Sequence, residues 1–143
     1  LVVDRDLADE VIQIFKEIEE SGFPIEKIVP IVKYGWSDSK SIADNNTSAF
    51  NYRRAVVPGK RLARLSKHAY GRAIDINPYQ NPYVIPGQPR RKYDPSVKGT
   101  LTASSEPVRI FEKYDWQWGG HWEGGRDYQH FEKAPPANWV SRP

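Results

Sequence analysis

The chain has 143 residues, 21 basic and 18 acidic for a formal net charge of +3, with 38% hydrophobic and 13% aromatic side chains. That length suits one domain, 1–143, with a core of its own, and so mild a charge argues against a dedicated phosphate-binding surface. With no cysteine, disulfides and thiolate metal sites are excluded, and no apolar run approaches a membrane span. The chain opens at Leu1 rather than Met, as expected of a mature or excised piece, so the lack of a visible export signal is uninformative. Leu7, Val11, Ile14 and Ile18 step by four, three and four, which predicts an amphipathic helix over about 5–21 ending before Gly22. Its charged side chains, Glu10, Lys16, Glu17 and Glu20, read as a solvated face. The β-branched stretch Ile28–Trp36 predicts an extended segment, and the Ser/Asp/Asn-rich 37–51 predicts loop and cap chemistry. Phe50–Val57 can return to strand, with a turn at Pro58-Gly59 and a solvated basic run at Lys60, Arg61 and Arg64. Five prolines between Pro78 and Ser104 exclude a helix or central strand there and suggest a cleft wall, the alternative being a surface excursion pinned by its tyrosines. Ser105-Glu106-Pro107 opens a second helix, to about 114, with Val108, Ile110 and Phe111 facing inward. Gly119-Gly120 and Gly124-Gly125 then allow two tight turns, and Trp139 in the short tail is a candidate to dock. The expected fold class is α+β, with these helices packed on a small, mainly antiparallel sheet.

Chemistry concentrates in SKHAYGRAID, Ser66–Asp75. Asp75 sits between Ile74 and Ile76, so on a strand the isoleucines face a core and the carboxylate faces the other way. A charge placed there needs a partner, and a cation shared with His68 is one solution. A carboxylate accepting backbone hydrogen bonds beside an ordinary loop histidine is an equally good one. The segment DYQH, Asp127–His130, adds a second imidazole and a second carboxylate. Two histidines and one aspartate able to meet at a point suit catalytic zinc, which takes three N/O ligands and keeps one position open. Asp127, offset from His130, then suits a general base. No HExxH helix is present.

The words SKHAYGRAIDINP, WQWGGHW and DYQHFE, with NNTSAFNYR at 45–53 and FPI at 23–25, together resemble the M15 family of zinc peptidases over roughly the whole chain. That family includes bacterial D-alanyl-D-alanine carboxypeptidases, D,D-dipeptidases and L-alanyl-D-glutamate endopeptidases. The resemblance implies a zinc fold like that of the D,D-peptidases and Hedgehog domains, with His68, Asp75 and His130 as ligands of one Zn²⁺. It implies Asp127 as the catalytic carboxylate, Glu in many members, and Arg53 as stabiliser of the substrate carbonyl. Ser66 matches the serine of the S-x-H pattern, expected to hydrogen-bond substrate or a ligand. Trp118 and Trp122 are candidate substrate-binding residues, with core or cleft wall as the plainer reading, while Arg54 is expected at the surface and His121 exposed or packed on Trp122. The implied function is zinc-dependent hydrolysis of peptidoglycan stem peptides by a monomer in the bacterial cell envelope, periplasmic or extracellular. D-alanyl-D-alanine carboxypeptidase is the favoured activity. The alternatives are an L-alanyl-D-glutamate endopeptidase and a non-catalytic zinc-containing binding module. Nucleic acid ranks low as a partner, since the basic residues are scattered and the aromatics flank glycine turns.

Overall fold

Leu7, Val11, Ile14 and Ile18 are all buried, Leu7 in a 3-10 turn over Arg5–Leu7 and the others on the helix α1 (Ala8–Glu20) that it leads into. The computed structural model describes residues 1–57, 60–87 and 92–136. The turn expected at Pro58-Gly59, the proline at 89 and the docking of Trp139 lie outside them. In chain order follow α2 (Asp38–Ala43), β1 (Arg54–Val57), β2 (Lys60–Leu65), β3 (Ala73–Asp75), β4 (Tyr83–Val84), α3 (Glu106–Lys113), β5 (Gln117–Trp118), β6 (Arg126–Asp127) and β7 (His130–Glu132). The strands form small antiparallel sheets, so the class is α+β as expected.

The core lies between α1, α3 and the sheet β3–β7–β5. Phe111 of α3 stacks on Phe131 of β7 with centroids 4.1 Å apart, and it meets Trp116 and Phe15 edge-on at 5.3 and 6.3 Å. Aromatic burial of this kind supplies the apolar area that a polar composition otherwise lacks. Ser105 precedes α3, but its hydroxyl accepts from the Thr102 N–H at 2.8 Å and makes no cap bond to the helix.

The charged face of α1 is not simply solvated. Lys16 and Glu20 are exposed, whereas Glu10 accepts from the Trp116 indole at 2.8 Å and from Lys133 at 2.7 Å. Glu17 accepts from the Tyr114 hydroxyl at 2.6 Å and from Lys113 at 3.0 Å. Helical spacing places these acids on one side; only the packing of α3 and the end of β7 supplies their partners.

Other expectations change between residues 28 and 65. Ile28 makes one parallel bridge to Thr47, but Ile31–Tyr34 coil into a 3-10 turn ended by Gly35 at φ 61°. Pro30 starts that turn, and the left-handed glycine stops it; together they override the β propensity of the isoleucines and valines. Inside the stretch read as loop, Ser37 caps α2 by accepting from the Lys40 N–H at 3.3 Å. The basic run 60–65 becomes β2 because β1 pairs with it, Arg54 opposite Leu65. Among the described residues between 78 and 104 the chain is irregular apart from β4, a two-residue edge paired to β6.

Candidate metal centre

Antiparallel pairing of β3 with β7 sets Ile74 opposite Phe131 and Asp75 opposite His130. Side chains alternate across a strand, so the first pair enters the core and the second shares the other face. Asp75 exchanges both of its backbone hydrogen bonds with Ser48, at 2.8 and 3.0 Å, on the side away from β7. Its pairing with His130 is therefore of the non-hydrogen-bonded kind, which brings opposed side chains closest.

His68 arrives from a 3-10 turn, Lys67–Tyr70, whose N-cap Ser66 accepts the His68 N–H at 3.3 Å. Gly71 ends the turn at φ 65°, and its carbonyl accepts from the Asp4 N–H. A Cβ on Gly71 would lie 2.5 Å from that nitrogen, so the close approach requires glycine. Buried Arg72 then holds both chain ends near the start of β3, through Asp4 at 2.7 Å and the Ala134 carbonyl at 2.9 Å.

The three side chains meet with ligand atoms within 4.8 Å of one another, and all are buried. His68 Nε2 lies 3.2 Å from Asp75 Oδ2 and 3.3 Å from His130 Nδ1, and His130 Nδ1 lies 2.9 Å from Asp75 Oδ1. The outer nitrogens fix the tautomers. His68 Nδ1 sits 2.6 Å from the Ala49 carbonyl, which only accepts, so that nitrogen carries the hydrogen. His130 Nε2 points at Glu132 Oε2 at 3.1 Å and donates in the same way. Neutral rings so held turn bare nitrogens, together with a carboxylate, towards one point. Such a set of acceptors is unfavourable without a positive charge among them, and it fits a divalent ion with N/O preference.

In the metal-free protein a proton meets that need. Burial opposes charge on His130, but hydrogen bonds to Asp75 and Glu132 raise its pKa to about 10. Burial alone would raise Asp75; the two imidazoles outweigh it and hold the carboxyl far below the usual carboxylate range. Hydrogen bonding from His130 lowers Glu132. Glu132 and the Ala49 carbonyl went unread in the sequence, although a carboxylate two positions beyond a strand histidine shares its face.

A cleft of about 640 Å³ opens over the triad, lined also by Arg53, Ser66, Trp122 and Asp127. Asp127 lies at the end of β6, where Gln129 donates to Oδ1 at 3.1 Å. Burial pushes its carboxyl up to about 6, partly opposed by the charge of His130. Gly119 makes room for this corner: a Cβ there would come within 2.5 Å of the Asp127 carbonyl and 3.3 Å of His130 Cβ. Arg53 Nε stands 3.4 Å from Asp38 Oδ1, close enough for attraction although not aligned as a hydrogen bond. Ser66 keeps its turn-capping bond while lining the cleft.

Trp118 does not join this group. It is 3% exposed in the core, and its indole donates to the Tyr128 carbonyl at 2.8 Å, because the β5–β7 pairing carries it in opposite Phe131. Trp122 does join, with its ring 5.2 Å from that of His130. His121 is exposed, paired with Glu112 at 2.9 Å and packed edge-on against Trp118 rather than Trp122. Arg54 is at the surface, bonded to the Ala63 carbonyl across the hairpin.

Among known families, an M15 peptidase family described as D-alanyl-D-alanine carboxypeptidase matches residues 60–133. Neither the curated proteins nor the solved structures give a match. The matched stretch contains His68, Asp75, Asp127 and His130, while Arg53 lies before it.

Proposed function

The chain belongs to the M15 peptidase family of D-alanyl-D-alanine carboxypeptidases, and on that premise we propose that it uses one zinc ion to remove terminal D-alanine from peptidoglycan stem peptides. The observation that carries this reading is the buried His68–Asp75–His130 cluster at the floor of a cleft that Asp127 also lines. When bound, zinc would supply Lewis acidity to the peptide carbonyl and bring the pKa of a water towards neutrality.

The chain's own residues do the rest. Asp127 takes a proton from the attacking water as the C–O bond forms, then delivers it to the amine nitrogen as the C–N bond breaks. A carboxyl already raised to about 6 by burial is close to the pH at which such a shuttle works best. Arg53, steadied by Asp38, offers a guanidinium to the carbonyl oxygen as negative charge grows on it. Ser66 holds the turn that delivers His68. On this reading the protein acts in the cell envelope, where wall peptides are found.

A base beside the metal centre favours an enzyme over a binding module. Asp127→Ala should keep the metal and lose on the order of 10²-fold or more in rate. An unchanged rate would remove Asp127 from the mechanism. The whole reading is tested by mass spectrometry of muropeptides digested with zinc-loaded protein. Loss of terminal D-alanine supports it; cuts after L-alanine would convert it to an endopeptidase, and intact muropeptides would leave only a zinc-binding module.

A further inference from the structure

The charge lining the cleft is unevenly placed. Its cations, Arg53, Arg64 and Lys67, all come from the short segment that runs through β1, β2 and the turn carrying His68. Tyr83, Ile85 and Trp122 give the lining from β4, the residue after it and the Gly119–Gly125 region an aromatic and apolar character, with Glu123 as its charge. The cleft is not a general attractor of anions. Asp38, Asp75, Glu123, Asp127 and Glu132 also line it, five carboxylates against three cations, so a divalent ion would bring the formal count to balance. What distinguishes the cationic wall is local separation of charge.

The three cations also differ in their commitments. Arg53 is drawn to Asp38 at 3.4 Å. Among the described residues, Arg64 and Lys67 make no side-chain hydrogen bond or ion pair. Both line the cleft together with Glu132, whose carboxylate accepts from His130. Glu132 is thus shared with His130, and two uncommitted cations stand beside one shared carboxylate. Arg64 is exposed and Lys67 half-buried, so a ligand in the cleft can reach both without displacing a partner.

We propose that Arg64 and Lys67 form a subsite for a carboxylate of the bound peptide, leaving Arg53 for the reacting carbonyl. The inference rests on the peptidase reading and names the part of the substrate that this wall takes. Lys67 directly precedes His68, so a carboxylate held by its flexible side chain lies near the metal centre. A terminal carboxylate belongs one residue beyond the bond that a carboxypeptidase cuts, about 3.8 Å between successive Cα atoms. A carboxylate further up the stem offers the same chemistry from another position.

The test measures equilibrium binding to zinc-loaded Asp127→Ala protein, in which turnover is suppressed. The probes are an N-acetylated peptide ending in D-alanyl-D-alanine as its free acid, its C-terminal amide, and the amide with an upstream glutamate. The free acid should bind about fivefold more tightly than the plain amide, as two partly exposed charge contacts allow. Arg64→Gln/Lys67→Gln should abolish the difference, and Arg64→Lys/Lys67→Arg should retain it. An advantage confined to the glutamate-bearing amide, and lost in the Gln pair, would place the recognised carboxylate within the stem and keep the subsite. Equal binding of all three probes, or a carboxylate preference that survives in the Gln pair, overturns the proposal. Hydrolysis by the unmodified protein is scored separately. Its absence would count against the peptidase reading, while the binding comparison would still decide the subsite.

Discussion

The strand pair β3–β7 and the stretch from Asn77 to Leu101 lie side by side and are held by different means. In the first, backbone pairing fixes Asp75 opposite His130, and the core residues Ile74 and Phe131 lock the register from behind. In the second, side-chain amides stand in for backbone ladders. Asn81, 0% exposed, donates to the carbonyls of Ile76, Asn77 and Gly99 and accepts from the Leu101 N–H at 2.7 Å. Asn77, at φ 44°, takes the Glu26 N–H and donates to the carbonyls of Pro24 and Gly99. Backbone register positions ligand atoms with little freedom, as a metal site requires. Amide pins let a proline-rich stretch, with the two-residue β4 as its strand among the described residues, form a wall. The first region should thus govern chemistry, and the second stability.

Breaking the first region should have the largest effect. His130→Ala removes one donor and leaves two groups too few for tight catalytic zinc, so metal content should fall from about one equivalent to near zero, with hydrolysis lost. Elemental analysis of the purified variant checks this, and full zinc occupancy would refute the site. The helical fold should persist by circular dichroism, because Phe131 and the α1–α3 contacts remain. Glu132→Ala should weaken zinc by about 10- to 100-fold, since the His130 ring loses the acceptor that orients it. Glu132→Gln keeps an oxygen acceptor and should lose less. Competition with a chelator measures both; equal affinities in the two variants would mean that Glu132 does not position the ring.

How much of this was readable from residues follows the same division. The apolar steps of α1, the alternation around Asp75 and the DYQH word are periodic or local, so strand and helix geometry translate them directly into positions. Glu132 was also within reach of that logic, two places after His130 on the same face. By contrast, α2 is a short helix inside a stretch whose composition reads as loop, the 3-10 turn at Ile31–Tyr34 is ended by a left-handed glycine, and β2 needs its hairpin partner β1, none of which local propensity encodes. Trp118 shows the difference within one motif. Beside a glycine turn it suits core and cleft alike, and pairing with β7 decides for core. The roles of Glu10 and Glu17 were hidden because they depend on how α3 packs, not on α1 itself.

The second region is broken by Asn81→Ala. It leaves the buried Leu101 N–H and several carbonyls without their partner and should cost about 3 kcal/mol of stability. Zinc affinity should change little, because no ligand-bearing strand pair is touched. Denaturant unfolding beside a chelator titration separates the two quantities. A variant that loses zinc but not stability would reverse the contrast between the two regions.

The most gradual effect is the most specific to the triad, because it asks whether proton and metal occupy the same role. In the metal-free protein His130 holds its proton up to about pH 10, whereas an unfolded histidine releases it near 6.5. The folded state therefore binds more protons between those values, and its stability from this group is full below about pH 6.5 and declines as pH rises towards 10. For one proton the slope is at most about 1.4 kcal/mol per pH unit. A metal at the triad displaces that proton, so the loaded protein should lose this slope. Zinc binding near pH 8 should release about one proton from His130, visible as heats that depend on the buffer's ionisation enthalpy. Thermal melts with and without zinc, from about pH 7 to 9.5, provide the second measurement. Parallel melting curves, with no buffer dependence of the heat, would show that the positive charge demanded by His68, Asp75 and His130 comes from somewhere other than a proton on His130.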